Sequence, residues 1–372
     1  MTQFNGANLR LIRQFNNLSL AELGESANIS KQFLSRLENG GESISTQLAS
    51  DLAERLLVMP EFLFLPGGSL IAEEQCHFRS HLTTKITLRQ NARSRGEILN
   101  RLVGVLEKHL QFPTYAIDAS DPDSAEAIEA AATRFRDRFG LGRGPLSSMT
   151  RVAENAGALV MHVKGLAPDI DAISFATGRP LVALNTDNRS GCRQRFGVAH
   201  ELGHFALHVG VLTGDRLTES QANRFASALL LPRTTFAAEC RLAIRGTRLN
   251  WQGLSELKQR WGVSKAALIY RGRQLGIFSE QQARSGYIGL KRHGEAIQEN
   301  EDHLVPVEQP EMLTDSLSVL HEHFGMPLSA IARELSLTPE LLSSLLLIQS
   351  SNQVTDNIVS LSQHKTRVSK LS

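Results

Sequence analysis

Little in this sequence would hold together a secreted or membrane-bound protein. Its three cysteines (Cys76, Cys192, Cys240) are odd in number and widely spaced, and no CxxC pair occurs. That argues against a disulfide framework and a cysteine zinc site, and for the reducing cytoplasm. No apolar run approaches the roughly twenty residues that a membrane-spanning helix needs. The first residues, Met1 to Gly6, carry no basic segment ahead of an apolar one, so no signal peptide is expected. The 40 Lys and Arg nearly balance 38 Asp and Glu, and the net charge of +2 commits the whole chain to neither nucleic acid nor membrane. The length suggests about two or three domains.

What the chain does have is His200-Glu201-Leu202-Gly203-His204. Two imidazoles four residues apart lie one helical turn apart on one face and can share a tetrahedral ion. Glu201 then projects near the open position, where it can take a proton from water. Apolar residues fill the other faces of this segment, the pattern of a buried helix with one polar stripe. A second amphipathic helix, Thr218 to Leu231, ends at Pro232. Within it Glu219 stands fifteen residues after His204, far enough for a turn and an antiparallel return. Asn223, one turn further on, shares its face and can orient a metal-bound histidine. The candidate metal ligands are therefore His200, His204 and Glu219. Zn²⁺ suits them best, and Mn²⁺ stays open.

Residues 1–65 read as five short helices. Ser19 caps Leu20 to Ser26, Asn28 sits at a left-handed turn, and Ser30 caps Lys31 to Glu38, which Asn39-Gly40-Gly41 ends. Leu23, Asn28-Ile29-Ser30 and Leu34-Ser35-Arg36-Leu37-Glu38-Asn39-Gly40 resemble the XRE family of Cro-like helix-turn-helix regulators. The resemblance implies a lambda-repressor-like domain whose third helix enters the major groove of a double-stranded operator. Ser30, Lys31, Gln32, Ser35 and Arg36 would face the DNA. The sequence departs from the family at Leu20, where Gln is usual, and at Gly24, where Ala is usual. Five basic against seven acidic residues also leave the module slightly acidic.

Residues 66–120 form a basic connector around a helix from Thr83 to Leu110. Its Arg79, Lys85, Arg89, Arg93, Arg95, Arg101 and Lys108 are expected on a solvated face or against phosphate. Cys76 and His77 are expected to pack. Residues 121–285 follow: helices, then strand-like runs at 158–163, 172–176 and 181–185, then the HExxH helix from near Ser190. Either of the last two runs is expected to be a sheet edge that binds substrate by strand addition. Arg134-Phe135-Arg136-Asp137, Gly140-Leu141-Gly142-Arg143-Gly144-Pro145, Ile170-Asp171-Ala172, Gly178-Arg179-Pro180, Arg193 to His204, His208 and Ala222 to Pro232 together resemble the ImmA/IrrE metallopeptidases. That resemblance implies a gluzincin-like α+β core and cleavage of a repressor protein. Tyr270, His208 and His162 are candidates for a second oxyanion donor.

Residues 286–310 look polar and loop-like. In residues 300–350, Leu328, Ile331, Leu337, Thr338, Leu342 and Leu345 repeat the spacing of Leu20, Leu23, Ile29, Ser30, Leu34 and Leu37. Ser336 to Ser350 carries no Lys or Arg, so this copy is a poor DNA reader. It is expected to serve self-association, giving a homodimer, or a partner; a helical cap on the peptidase is the alternative. Residues 351–372 are expected to be disordered. Taken together, the chain is mainly α with an α+β peptidase core. The expected function is a cytoplasmic DNA-binding regulator carrying a zinc endopeptidase that cleaves a repressor or antitoxin. One alternative is a non-enzymatic repressor or antitoxin using the peptidase fold as a sensor or dimerisation body. Another is a peptidase whose first module only docks on a related repressor.

Overall fold

The computed structural model describes residues 3–66, 71–77, 86–164, 172–186 and 190–347. The N-terminal module holds α1 (Gly6–Phe15), α2 (Leu20–Ser26), α3 (Lys31–Glu38) and α4 (Thr46–Arg55), closed by a 3-10 turn at Pro60–Phe64. Ser19 and Glu22 form a capping box on α2, and Ser30 accepts from Phe33 N at 3.1 Å to cap α3. Between them Asn28 takes the left-handed conformation, φ 54°. Gly24 is a packing requirement here, since a Cβ there would stand 2.8 Å from the Ile29 carbonyl oxygen. Leu9, Ile12, Leu23, Leu34, Leu37 and Leu52 form the buried centre.

The connector supplies β1 (Cys76–His77) and α5 (Ile86–His109), and α6 (Ala125–Arg138) and α7 (Met149–Asn155) follow. Next come β2 (Leu159–Val163), β3 (Ala172–Phe175), β4 (Leu181–Asn185), α8 (Gly191–Leu207) and α9 (Arg216–Leu230). The sheet order is β1-β3-β4-β2, with β2 parallel to β4 and the other pairs antiparallel. Both faces are covered, which is why its strands read as nearly unbroken apolar runs. Val160, Ala172, Val182 and Leu184 join the core of the peptidase-like half. Leu159, Met161, Ile173, Phe175 and Leu181 join a second core shared with the N-terminal module, α5 and the C-terminal helices.

Two expectations change here. The run 181–185 is no edge: β4 is paired on both sides, and β3 is paired with β4 along its length and with β1 at Ser174 and Phe175. Nor is α5 a solvated helix. The Arg95 guanidinium lies 4.8 Å from the Phe15 ring centre and that of Arg101 lies 5.3 Å from Phe62. Asn91 donates to the carbonyls of Gln14 and Phe15, both at 2.9 Å. Asn91 is drawn inward because it satisfies carbonyls at the C-terminal end of α1, and the two guanidinium groups because they lie over Phe15 of α1 and Phe62 of the 3-10 turn. Arg79 and Lys85 lie outside the described residues.

Four more helices complete the peptidase-like half: α10 (Arg233–Glu239), α11 (Trp251–Trp261), α12 (Lys265–Gln274) and α13 (Glu280–Arg292). The stretch expected as a loop is thus helical up to Arg292. The chain then runs as a strap across the start of α8, where the Val305 and Pro306 carbonyls leave room only for Gly191. The last helices are α14 (Met312–Phe324), α15 (Leu328–Glu334) and α16 (Pro339–Leu346). Ser336 takes φ 55° between the last two, as Asn28 does between α2 and α3. Val58 and Leu337 form an antiparallel bridge, flanked by Met59 N to Ser336 O at 2.9 Å and Thr338 N to Leu57 O at 3.2 Å. Leu341, Leu342 and Leu345 pack within the chain, in the core shared with the sheet. The tail 351–372 lies outside the described residues. Among those described, no helix is long and apolar enough to cross a membrane.

Candidate metal centre and nucleic-acid interface

Ser190 starts α8, its hydroxyl accepting from Arg193 N at 3.4 Å. Helical spacing then puts His200 and His204 on the face that meets α9. The two helices approach closely at Gly203, where a Cβ would lie 3.2 Å from the Ala222 Cα. This contact brings Glu219 to the histidines. Its Oε2 lies 3.4 Å from His200 Nε2, and its Oε1 lies 3.4 Å from His204 Nε2. One donor atom from each of the three residues falls within 4.8 Å of the others.

The imidazole protons follow from the neighbours. His200 Nδ1 donates to Asn223 Oδ1 at 3.0 Å, which puts the lone pair of the neutral ring on Nε2, toward the cluster. Gln221 Nε2 donates to the Pro122 carbonyl at 3.1 Å, so Gln221 Oε1 is left to accept from His208 Nε2 at 2.9 Å. His208 Nδ1 is then an acceptor and takes the Nδ1 proton of His204 at 3.0 Å. The lone pair of His204 is then also on Nε2, which lies 3.0 Å from His200 Nε2 and 3.4 Å from Glu219 Oε1. Burial pushes the His204 imidazole down to about 4, so it is neutral at pH 7. Two imidazoles and one carboxylate suit a divalent ion. The buried Glu219 Oε1 has no hydrogen-bond partner, an atom that such an ion would satisfy.

Glu201 is buried beside this cluster, and Ser174 of β3 donates its hydroxyl proton to Glu201 Oε2. A cleft of about 370 Å³ opens over the cluster, lined by His200, Glu201, Asn223, Phe196, Tyr270 and Ile297 among others. Of the three oxyanion candidates, Tyr270 lines the cleft. Both ring nitrogens of His208 are engaged, and His162 Nε2 faces Gln194 at 3.2 Å. Sequence reasoning missed Ser174, Thr213 and Gln221, and it left His77 as packing. His77 is buried, and its ring stacks on that of His204 at 4.9 Å. A lone Ser in the apolar run Ala172 to Phe175 was the only signal for Ser174. Nothing local marked the others.

On the opposite module, Ser30, Lys31, Gln32 and Arg36 are exposed and Ser35 is half-buried. They form one continuous face of α3, while Leu34 and Leu37 point inward. Arg36 pairs with Glu42 at 2.8 Å, which reduces its charge toward solvent.

An HExxH helix against a small sheet, with a carboxylate from the next helix as the third candidate ligand, defines a peptidase-like domain, here joined to a helix-turn-helix. Comparison with family models agrees on both halves. Residues 153–272 match the IrrE N-terminal-like domain, and residues 9–63 match the Helix-turn-helix family. The chain is therefore a fusion of an XRE-type helix-turn-helix with an ImmA/IrrE-like peptidase domain. No curated protein matches it.

Proposed function

We propose that this chain is a cytoplasmic, DNA-binding transcriptional regulator whose second half is a zinc-dependent endopeptidase, acting on an XRE-type repressor or antitoxin. The convergence of the His200, His204 and Glu219 donor atoms, with Glu201 held beside them, is the observation that carries the reading. His200, His204 and Glu219 would hold the ion, and Zn²⁺ when bound supplies a Lewis acid for water and for the scissile carbonyl.

The chain's own groups supply the rest. Asn223 and the Gln221–His208 pair fix which imidazole nitrogens carry protons, so both Nε2 atoms stay unprotonated. Glu201 Oε1 takes the proton of the attacking water and passes it to the leaving amine. Ser174 holds Oε2 of the same carboxylate, which keeps Glu201 aimed along the cleft. Tyr270, which lines the cleft, would donate to the developing oxyanion. On α3, Lys31 and Gln32 read bases while Ser30, Ser35 and Arg36 hold the backbone.

Glu201→Gln tests the enzyme. The variant should bind one Zn²⁺ and operator DNA as the wild type does, while failing to cut repressors encoded beside its own gene. If Glu201→Gln supports the full regulatory response, the peptidase reading fails, and the domain is a sensor or dimerisation body.

A further inference from the structure

His77 belongs to neither matched segment: it lies between residues 9–63 and 153–272. Yet the fold carries it into the metal centre. β1 extends the sheet beyond β3, with His77 directly opposite Ser174. Directly opposed residues share a face of the sheet. Both therefore face α8, Ser174 reaching Glu201 and His77 reaching His204.

The contact with His204 is specific. The two ring planes differ by 7° and their centres are 4.9 Å apart. His77 is itself pinned, with Nδ1 2.9 Å from the Thr213 hydroxyl and the Phe205 ring edge-on at 5.9 Å. Thr213 is buried in the segment that follows α8. The His77 Nε2 is buried without a hydrogen-bond partner, a cost that a plain apolar filler would avoid.

We propose that His77 is a positioning residue of the metal centre, holding the His204 ring in the plane that aims its Nε2 at the ion. The inference rests on the metal-site reading above. His208 sets the edge of His204 through the Nδ1 proton, and His77 sets its tilt. The connector is thereby part of the site: the strand that carries His77 precedes α5, which packs on the DNA-facing module and also on Phe175 of β3.

The test uses the full-length chain and metal alone. Zn²⁺ affinity is measured by chelator competition, and the geometry of the site by the visible absorption of the Co²⁺-loaded protein. His77→Ala should weaken Zn²⁺ binding by on the order of 10-fold and shift the Co²⁺ bands. His77→Phe, which restores a flat ring, should recover most of that affinity. Thr213→Val, which frees Nδ1 of His77, should shift the Co²⁺ bands in the same direction with a smaller loss of affinity. Wild-type affinity and an unchanged Co²⁺ spectrum in His77→Ala would overturn the proposal. Should His77→Ala fail to fold, the same unchanged pair in Thr213→Val overturns it. A wild-type chain that takes up no Zn²⁺ refutes the metal centre itself, a different result from a wild type that binds and a variant that binds equally well.

Discussion

Removing the Glu308 carboxylate should unlock the strap that crosses α8. Glu308 accepts from Arg195, from Ser148 Oγ at 3.2 Å, and from the backbone N–H groups of Met149 at 3.0 Å and Thr150 at 2.7 Å. Its own backbone is held by Gln194, which donates to Glu308 O and accepts from Glu308 N, both at 2.7 Å. Glu308→Ala leaves Arg195, its side chain 5% exposed, with only the Leu146 and Ser147 carbonyls. Breaking one side of a buried ion pair costs about 3–5 kcal/mol. The open first turn of α7 adds roughly 1 kcal/mol, less whatever Ser148 still supplies as its cap. The expected loss is about 4 kcal/mol, a large share of a typical domain's stability. Urea unfolding of the full chain reads this loss, and amide exchange at residues 149–151 and 294–311 locates it. Replacing both partners, Arg195→Met with Glu308→Leu, should recover much of it, because no charge is then stranded. A loss below about 1 kcal/mol with the strap amides still protected would refute the reasoning.

Two further outcomes follow from other contacts. Burial raises the Glu154 carboxyl to about 7 where it accepts from the Met312 and Glu311 backbone at the start of α14. Its folded value lies above its unfolded one, so its contribution is full below about pH 4.5 and is lost as pH rises through about 7. Glu154→Gln keeps an acceptor without the charge and should be more stable than wild type by about 3 kcal/mol at pH 8, the gap closing toward pH 4.5. A gap in thermal or urea unfolding that does not vary with pH would contradict this. For the DNA face, Lys31→Ala with Gln32→Ala should weaken operator binding at least 10-fold at fixed salt and lower the salt slope by about 1. An unchanged affinity by fluorescence anisotropy would remove α3 as the reader.

What was legible in the sequence was local. The HExxH spacing sets two imidazoles on one face whatever surrounds them, and the Ser190 cap marks where α8 begins. The three longer strands announced themselves as apolar runs because both faces of the sheet are buried. Strand order was not legible. β1 has only two residues, too few to show a pattern, and pairing β4 between β2 and β3 depends on contacts distant in sequence. The supports of His204 were hidden for the same reason: His77 and Thr213 lie 136 positions apart. The basic connector misled because Arg95 and Arg101 lie over aromatic rings of the first module, a use of charge that composition cannot reveal.

The two helix-turn-helix copies show how one local geometry serves opposite ends. α15 and α16 fall 308 residues after α2 and α3 at both boundaries, and the turn residues Asn28 and Ser336 share the same left-handed φ. The backbone motif is therefore set by the turn and its leucines, which both copies have. The outer face decides the rest. In α3 that face carries Lys31, Gln32 and Arg36 and stays in water. In α16 the places of Phe33 and Ser35 are taken by Leu341 and Ser343, both buried. Without a basic residue on this face, α16 has nothing to offer phosphate, and its apolar side is covered by the rest of the chain. The bridge between Val58 and Leu337 then ties the two copies together at their turns. The second copy anchors the first against the sheet while α3 remains free on the outside. Cutting the bridge would therefore loosen the DNA-facing module from the peptidase-like half without touching the recognition face itself.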